Sequence, residues 1–269
     1  MRLADVGHAL GDRLGRESAL GTALQPLYGW ALRTACGRRG LAWHVNGEPL
    51  RIDPSVRRLV PHQSEPELFA FLREQIEPGQ VVLDIGAFLG TYAMLEARRV
   101  GPSGRVVAFE PSPSSHAILA RHLEMNGLHP PQVEARCAAV GARAGRQQLI
   151  TWDEEPYRNM IAPPGRIGVS VETVTLDEVC AAWPRLPDWI RMDVQGQEFD
   201  VLAGARGLLH AARGRLRIVA EMHPEQWPDY GVAPEDAAAR LAELGLVARA
   251  VVPGAGPFVQ SGHAILDPL

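Results

Sequence analysis

The chain reads as an α/β protein, a doubly wound and mostly parallel seven-stranded sheet behind a helical N-terminal extension. Three observations predict it. From residue 81 to residue 223, short apolar or β-branched runs alternate with helix-length amphipathic segments. Several runs lead into an acid: Asp84, Glu110, Asp193 and Glu221. The first run, Val81-Val82-Leu83-Asp84-Ile85, passes into a turn bounded by Gly86 and Gly90 and then into a helical pattern. In open α/β sheets ligands bind beyond the carboxyl ends of the strands, beside such a turn. The turn is therefore expected to present backbone N–H groups and a helix N-terminus to a ligand.

The bulk properties narrow the class. With 269 residues, 46% hydrophobic and 22% charged, the chain suits one large globular domain with a small appendage. A net charge of -4, from 27 basic and 31 acidic residues, offers no global field for a nucleic acid. Cys36, Cys137 and Cys180 are widely separated, so neither a disulfide framework nor a structural zinc site is expected. The opening residues lack a signal-peptide core, and no run of 18 apolar residues occurs, so a cytoplasmic location is the default.

Taken in order, residues 1–60 are an extension. Leu3, Val6, Leu10, Leu14, Leu27 and Trp30 recur at helical spacing, which suits packing helices, a lid or a homodimer contact. A hairpin follows, turning at Asn46-Gly47. Residues 61–269 are expected to form the main domain. A helix begins near Pro66, with Ser64 as N-cap and Glu67 completing a capping box. The helix after Gly90 runs over 91–100, and a second strand over 105–111. A second helix covers 114–126, and a third strand runs unbroken over 133–140. Short strands are expected near 147–151 and 168–174, then a helix from Thr175. The fourth strand is 189–193, a helix starts at Glu198, and the fifth strand is 216–223. A helix over 234–244 and a closing hairpin of 246–252 with 263–266 complete the sheet.

The first turn discriminates between ligands. Dinucleotide folds place a second glycine close behind the first, so that a pyrophosphate can approach the backbone. Here Ala87-Phe88 stand in that place, and an acid sits two residues before Gly86. That suits a cationic ligand, such as one bearing an amino group and a sulfonium. Glu110, about 20 residues past Gly90, is placed to accept both hydroxyls of a ribose. The bland alternative is a solvated acid at a strand end.

The strings V-V-L-D-I-G-A-F-L-G-T-Y, V-V-A-F-E-P-S-P and I-R-M-D-V-Q-G-Q-E-F-D-V-L-A-G-A resemble the FkbM-type S-adenosylmethionine-dependent methyltransferases. An upstream S-E-P-E-L-F, an A-A-V-G after the third strand and a T-L-D-E before the fourth fit the same order, so the resemblance spans about residues 60–225. It implies a Rossmann-like class I methyltransferase fold and S-adenosyl-L-methionine as cofactor. Asp84, Gly86, Ala87, Gly90, Thr91 and Tyr92 would shape the turn around the methionine part. Glu110 would hold the ribose, with Pro111 near the adenine. Ala138 and Ala139 would face the adenine from the other side, and Asp193 would sit beside the methyl group. The family's fourth-strand motif reads D-V-E-G-x-E, and this chain has Gln195 where its first glutamate stands. The change keeps hydrogen bonding and loses a charge.

Methyl transfer is an in-line displacement, so alignment of the acceptor is the main task. A hydroxyl acceptor must also lose a proton, to a base or with help from a metal, whereas a carboxylate needs neither. Asp193, Glu221 and His223 are the catalytic candidates. The same three could hold a divalent cation such as Mg2+. Glu198 reads as a helix-start charge, and His62 as a loop histidine near the pocket. The expected activity is O-methylation of a hydroxyl or carboxyl on a small-molecule acceptor, in natural-product or sugar tailoring. An NAD-dependent oxidoreductase with an atypical turn and a catalytically impaired cofactor-binding protein are the alternatives.

Overall fold

The structure, a computed structural model, describes residues 34, 36–153, 155–212, 214–252, 256, 258 and 262–269. The helices expected before residue 34, and the lid or dimer role attached to them, lie outside these residues.

Strands β1 (Leu41–Val45) and β2 (Glu48–Ile52) form the first hairpin. Asn46 and Gly47 both have positive φ, 48° and 84°, as a two-residue turn matching the strand twist requires. The hairpin is packed into the body of the protein. Val45 and Ile52 are fully buried in the same apolar cluster as Leu68, Met94 and Leu119. Burial of each stabilises by about 1.5–3 kcal/mol. His122 secures the join, accepting the Asp53 N–H at Nε2 (2.9 Å) while Nδ1 lies 2.8 Å from the Leu89 carbonyl.

Helix α1 (Pro66–Gln75) follows. Its cap differs from expectation. Glu65, not Ser64, is the N-cap residue, in a left-handed conformation and without a side-chain cap. Ser64 is instead gripped by Asn46, which accepts its N–H and donates to its carbonyl. The Glu65 carboxylate is thereby turned inward.

The central sheet comprises β3 (Val81–Ile85), β4 (Arg105–Phe109), β5 (Val133–Arg136), β10 (Trp189–Met192), β11 (Arg217–Met222), β12 (Leu246–Ala250) and β13 (Gly262–Pro268). Among the described residues its order is β12-β13-β11-β10-β3-β4-β5. Pairings from β11 through β5 are parallel, and β13 alone runs against its neighbours. Successive side chains alternate between two apolar clusters. Val82, Val106, Trp189 and Val219 join one, and Leu83, Val107, Ile190 and Ile218 the other. Burial of both faces explains why these strands read as continuous apolar runs. Helices α1, α2 (Thr91–Val100) and α3 (Pro113–Met125) cover the first face. Helices α4 (Leu176–Ala181), α5 (Glu198–Ala203), α6 (Arg206–Ala212) and α7 (Ala237–Glu243) cover the second.

The third strand does not run unbroken to Val140. It leaves the central sheet at Arg136, and Ala139–Val140 (β6) enters a smaller sheet of order β6-β9-β7-β8. That sheet is completed by β7 (Gly145–Ile150), β8 (Met160–Ile161) and β9 (Val169–Val174). The break at Cys137-Ala138 moves Ala138 and Ala139 over the carboxyl ends of β3 and β4. Among the described residues, no helix is long and apolar enough to cross a membrane.

Candidate active site

A cavity of about 680 Å³, counting its open mouth, lies at the carboxyl ends of β3, β4 and β10. Gly86, Phe88, Glu110, Pro111, Ala138, Ala139 and Asp193 line it, as do Gln195 and Gln197. The small sheet supplies the outer wall through Leu149, Pro156, Tyr157, Asn159, Met160 and Ile161. Tyr230 ties that wall to the central sheet by donating to the Ile161 carbonyl at 2.6 Å.

The glycine turn is built differently from the expected cradle of free N–H groups. Gly86 and Ala87 both donate to the Phe109 carbonyl at 2.9 Å, and the Phe88 N–H goes to Glu110 Oε2 at 2.9 Å. No pyrophosphate cradle remains, which removes the ground for the dinucleotide reading. Gly86 has φ 76°, and a Cβ there would lie 1.9 Å from the Asp193 carbonyl oxygen. Only glycine lets the first and fourth strand ends approach this closely.

Of the cofactor-site candidates, Gly86, Glu110, Pro111, Ala138, Ala139 and Asp193 meet at the cavity. Asp84, Ala87, Gly90, Thr91 and Tyr92 do not line it. For Asp84 this corrects the expectation of a charge facing a cationic ligand directly. Its side chain leaves β3 on the opposite face from Ile85 and is fully buried, with Oδ1 3.2 Å from Arg191 Nη1. Arg191, directly across the parallel pairing from Asp84, also donates to the Gly86 carbonyl at 3.2 Å and lies 3.4 Å from Asp193 Oδ2. Its guanidinium sits 4.3 Å from the centre of the Tyr92 ring. Arg191 was missed at the level of sequence, although a charge inside an apolar parallel strand implies a buried partner.

Glu110 is buried at the cavity wall, with Oε1 accepting from the Ser112 N–H at 2.8 Å and, among the described residues, no basic side chain paired with it. Burial raises its carboxyl to about 8, against the pull of the Ser112 and Phe88 N–H groups. A ribose diol would give this carboxylate two further donors. The buried Gln197 Oε1 has no partner among the described residues, and Gln197 lines the same cavity. The chemistry of the wall fits an adenosyl group: apolar Phe88, Phe109 and Ile161, small Ala138 and Ala139, and polar groups aimed inward.

Beyond Asp193 the three catalytic candidates do come together. His223 Nε2 lies 3.7 Å from Asp193 Oδ1 and 3.6 Å from Glu221 Oε1, and one ligand atom from each falls within 4.8 Å of the others. Gln195, the departure from the family pattern, stands among them. Its amide nitrogen is 2.9 Å from Asp193 Oδ1 and 3.0 Å from His223 Nε2.

Glu198 is more than a charge at a helix start. It is fully buried, and its Oε1 lies 2.7 Å from His223 Nδ1 and accepts the Gly196 N–H at 3.0 Å, while Oε2 accepts the Trp227 indole N–H at 2.7 Å. Burial opposes a charge on His223. The hydrogen bond to Glu198, with the charges of Glu198, Asp193 and Glu221, outweighs it and raises the imidazole to about 9. The contact from the Gln195 amide works the other way, since it calls for an unprotonated Nε2. Burial, then Asp193, lifts Glu221 to about 7 against His223 and His263.

Glu221 also faces His263, opposite it across the antiparallel pairing and 3.8 Å away. His263 is 2.7 Å from Glu65, which accepts from Tyr92 at 2.7 Å. Despite burial, His263, Arg191 and Tyr92 hold Glu65 down at about 2. His62, by contrast, stacks on Trp43 at 4.1 Å in the first hairpin and does not line the cavity.

The strand order, with one reversed strand beside the fifth parallel one and a site over the first and fourth strand ends, is that of the class I methyltransferases. The family described as "Methyltransferase FkbM domain" matches residues 84–245, more than half of the chain. The chain belongs to that family. It is 26% identical over 228 residues to the "Hexuronic acid methyltransferase AglP" of Haloferax volcanii, covering 80% of this chain and 85% of that protein. To the "Methyltransferase sdnD" of Sordaria araneosa it is 22% identical over 187 residues, 57% of this chain and 69% of the other. Among solved structures, it is similar to the methyltransferase FkbM from Methylobacillus flagellatus KT at 13% identity and a TM-score of 0.45. That match covers 74% of this chain, and this chain spans half of the other.

Proposed function

We propose that this methyltransferase uses S-adenosyl-L-methionine to methylate a hydroxyl oxygen on a small molecule, a sugar or a related polyol. The observation that carries the reading is the Glu198–His223 pair at 2.7 Å, whose second imidazole nitrogen faces Asp193 at the edge of the cavity. A carboxylate acceptor needs no base. It would also meet the acids Asp193 and Glu221 at the strand ends, with Glu65 on the far side of His263. The hexuronic acid named for one relative supports a sugar-like acceptor, and since such a sugar carries both hydroxyls and a carboxylate, the choice of oxygen rests on the base and the acids of the site.

When bound, the cofactor supplies an electrophilic methyl group on a sulfonium. The residues that would hold it are Glu110 at the ribose, Pro111, Ala138 and Ala139 around the adenine, and Asp193 on the side of the methyl group. His223 Nε2, in the neutral form that accepts from the Gln195 amide, would take the hydroxyl proton as the acceptor oxygen gains the methyl group, the methyl's bond to sulfur breaking and S-adenosylhomocysteine leaving. Glu198, hydrogen-bonded to Nδ1, fixes the tautomer and stabilises the imidazolium. The acceptor must displace the Gln195 amide from His223 to reach the base.

The test is methyl transfer itself. The full chain is incubated with methyl-labelled cofactor and a panel of neutral glycosides, uronic acids and phenols, and the products are read by mass spectrometry. Transfer to a neutral hydroxyl is expected. Label found only as a methyl ester would overturn the hydroxyl reading, and S-adenosylhomocysteine binding without transfer to any compound would point to an impaired protein.

A further inference from the structure

We propose that Gln195 is a positioning residue whose amide occupies the place of a cation between Asp193 and His223, so that the acceptor end is assembled without a divalent metal. Asp193, Glu221 and His223 bring one imidazole nitrogen and two carboxylate oxygens within 4.8 Å of one another. Oxygen and imidazole donors of this kind suit a divalent cation. Two of those atoms, however, already point at one NH2 group, at 2.9 Å and 3.0 Å. That group has two hydrogens, one for each acceptor.

The amide's orientation is set from behind, where Gln226 approaches Gln195 Oε1 at 3.5 Å. The backbone is committed to this placement. Gln195 has φ 51°, a left-handed conformation that is unfavourable for a residue other than glycine. A carboxylate at the same position would face Asp193 and Glu221 with like charge, and would complete an oxygen-rich ligand set. The amide holds the two groups together and adds no charge. The inference rests on the reading of Asp193 and His223 as the acceptor end, but its test does not depend on turnover.

Mn2+ alone is titrated into the full chain, followed by electron paramagnetic resonance and calorimetry, for the natural protein, Gln195→Glu and Gln195→Gly. S-adenosylhomocysteine binding is measured in parallel. The natural protein is expected to leave Mn2+ free through the millimolar range. Gln195→Glu is expected to bind at least about tenfold more tightly, because an added carboxylate raises the charge of the ligand set. Gln195→Gly, whose backbone suits the positive φ, is expected to gain weaker Mn2+ binding through the vacated space. Mn2+ binding by the natural protein that Asp193→Asn abolishes would overturn the proposal. So would silence of both variants while they stay folded and bind S-adenosylhomocysteine. Failure of the natural protein to bind S-adenosylhomocysteine would instead overturn the cofactor reading, with the Mn2+ result judged separately.

Discussion

The carboxylate of Glu198 bridges two rings, with one oxygen 2.7 Å from His223 Nδ1 and the other 2.7 Å from the Trp227 indole nitrogen. It lies behind the imidazole proposed as the base and is closed off from water. Glu198→Gln keeps the shape and removes the charge that stabilises an imidazolium. We expect kcat to fall by about 10²-fold or more, with S-adenosylhomocysteine affinity unchanged. Glu198→Ala leaves three buried N–H groups, of Gly196, His223 and Trp227, without a partner and is expected to cost about 2–4 kcal/mol of stability. Steady-state kinetics and urea unfolding separate the effects. Full activity in Glu198→Gln would remove His223 as the base.

Glu110 titrates far above an ordinary carboxylate. Its folded value of about 8 lies above its unfolded value of 4.5, so between these pH values the folded state binds more protons. Stability contributed by this group therefore declines as pH rises from 4.5 to 8. Glu110→Gln is expected to flatten that part of the Tm-versus-pH curve of the free protein. Because the ionised carboxylate is the better acceptor for a ribose diol, S-adenosylhomocysteine affinity is expected to rise between pH 6 and 8, and not in Glu110→Gln. Calorimetry at several pH values would expose a mistake here, through parallel curves for the two proteins.

Gly86→Ala places a methyl group 1.9 Å from the Asp193 carbonyl oxygen, at a φ of 76°. Backbone must move, since no flexible side chain stands in the way. The expected result is a loss of about 3 kcal/mol or more together with a cofactor affinity at least about tenfold weaker. A variant that binds S-adenosylhomocysteine normally would show that the two strand ends need not touch.

His122 links the first hairpin to the glycine turn through Asp53 and Leu89. Burial lowers its pKa, against the Leu89 hydrogen bond and the Asp53 charge. The neutral ring is thus favoured in the fold, and its contribution is lost as pH falls below the ordinary histidine value of 6.5. His122→Ala is expected to destabilise by about 3 kcal/mol, from a cavity and two unsatisfied groups. Urea unfolding at pH 7 and pH 5 should show a smaller gap between variant and natural protein at pH 5.

Much of this was legible in the chain. The helix over 91–100 and the turn at Asn46-Gly47 fall where spacing and turn chemistry put them, because local rules decide both. The capping box at Ser64 failed because Asn46, 18 positions earlier, claims both backbone groups of that residue. Likewise the run 133–140 has no Gly or Pro to mark a break, and only packing shows that it changes sheets at Arg136. The outer wall of the cavity, from Leu149 to Ile161, carries no motif, since shape rather than chemistry is its contribution.

By itself the sequence determined the alternation of strands and helices, the acids at the strand ends and the glycines of the first turn, because period, propensity and close backbone approach leave marks on neighbouring residues. Which charges pair was decided only in three dimensions. Asp84 and Arg191 are 107 positions apart and meet across two strands. Glu198 and His223 meet across a helix start and a strand exit, and Gln195 reaches His223 from a left-handed turn. Burial makes each of these charges costly unless a partner is found. The partners lie where parallel strand order, not chain order, brings them together.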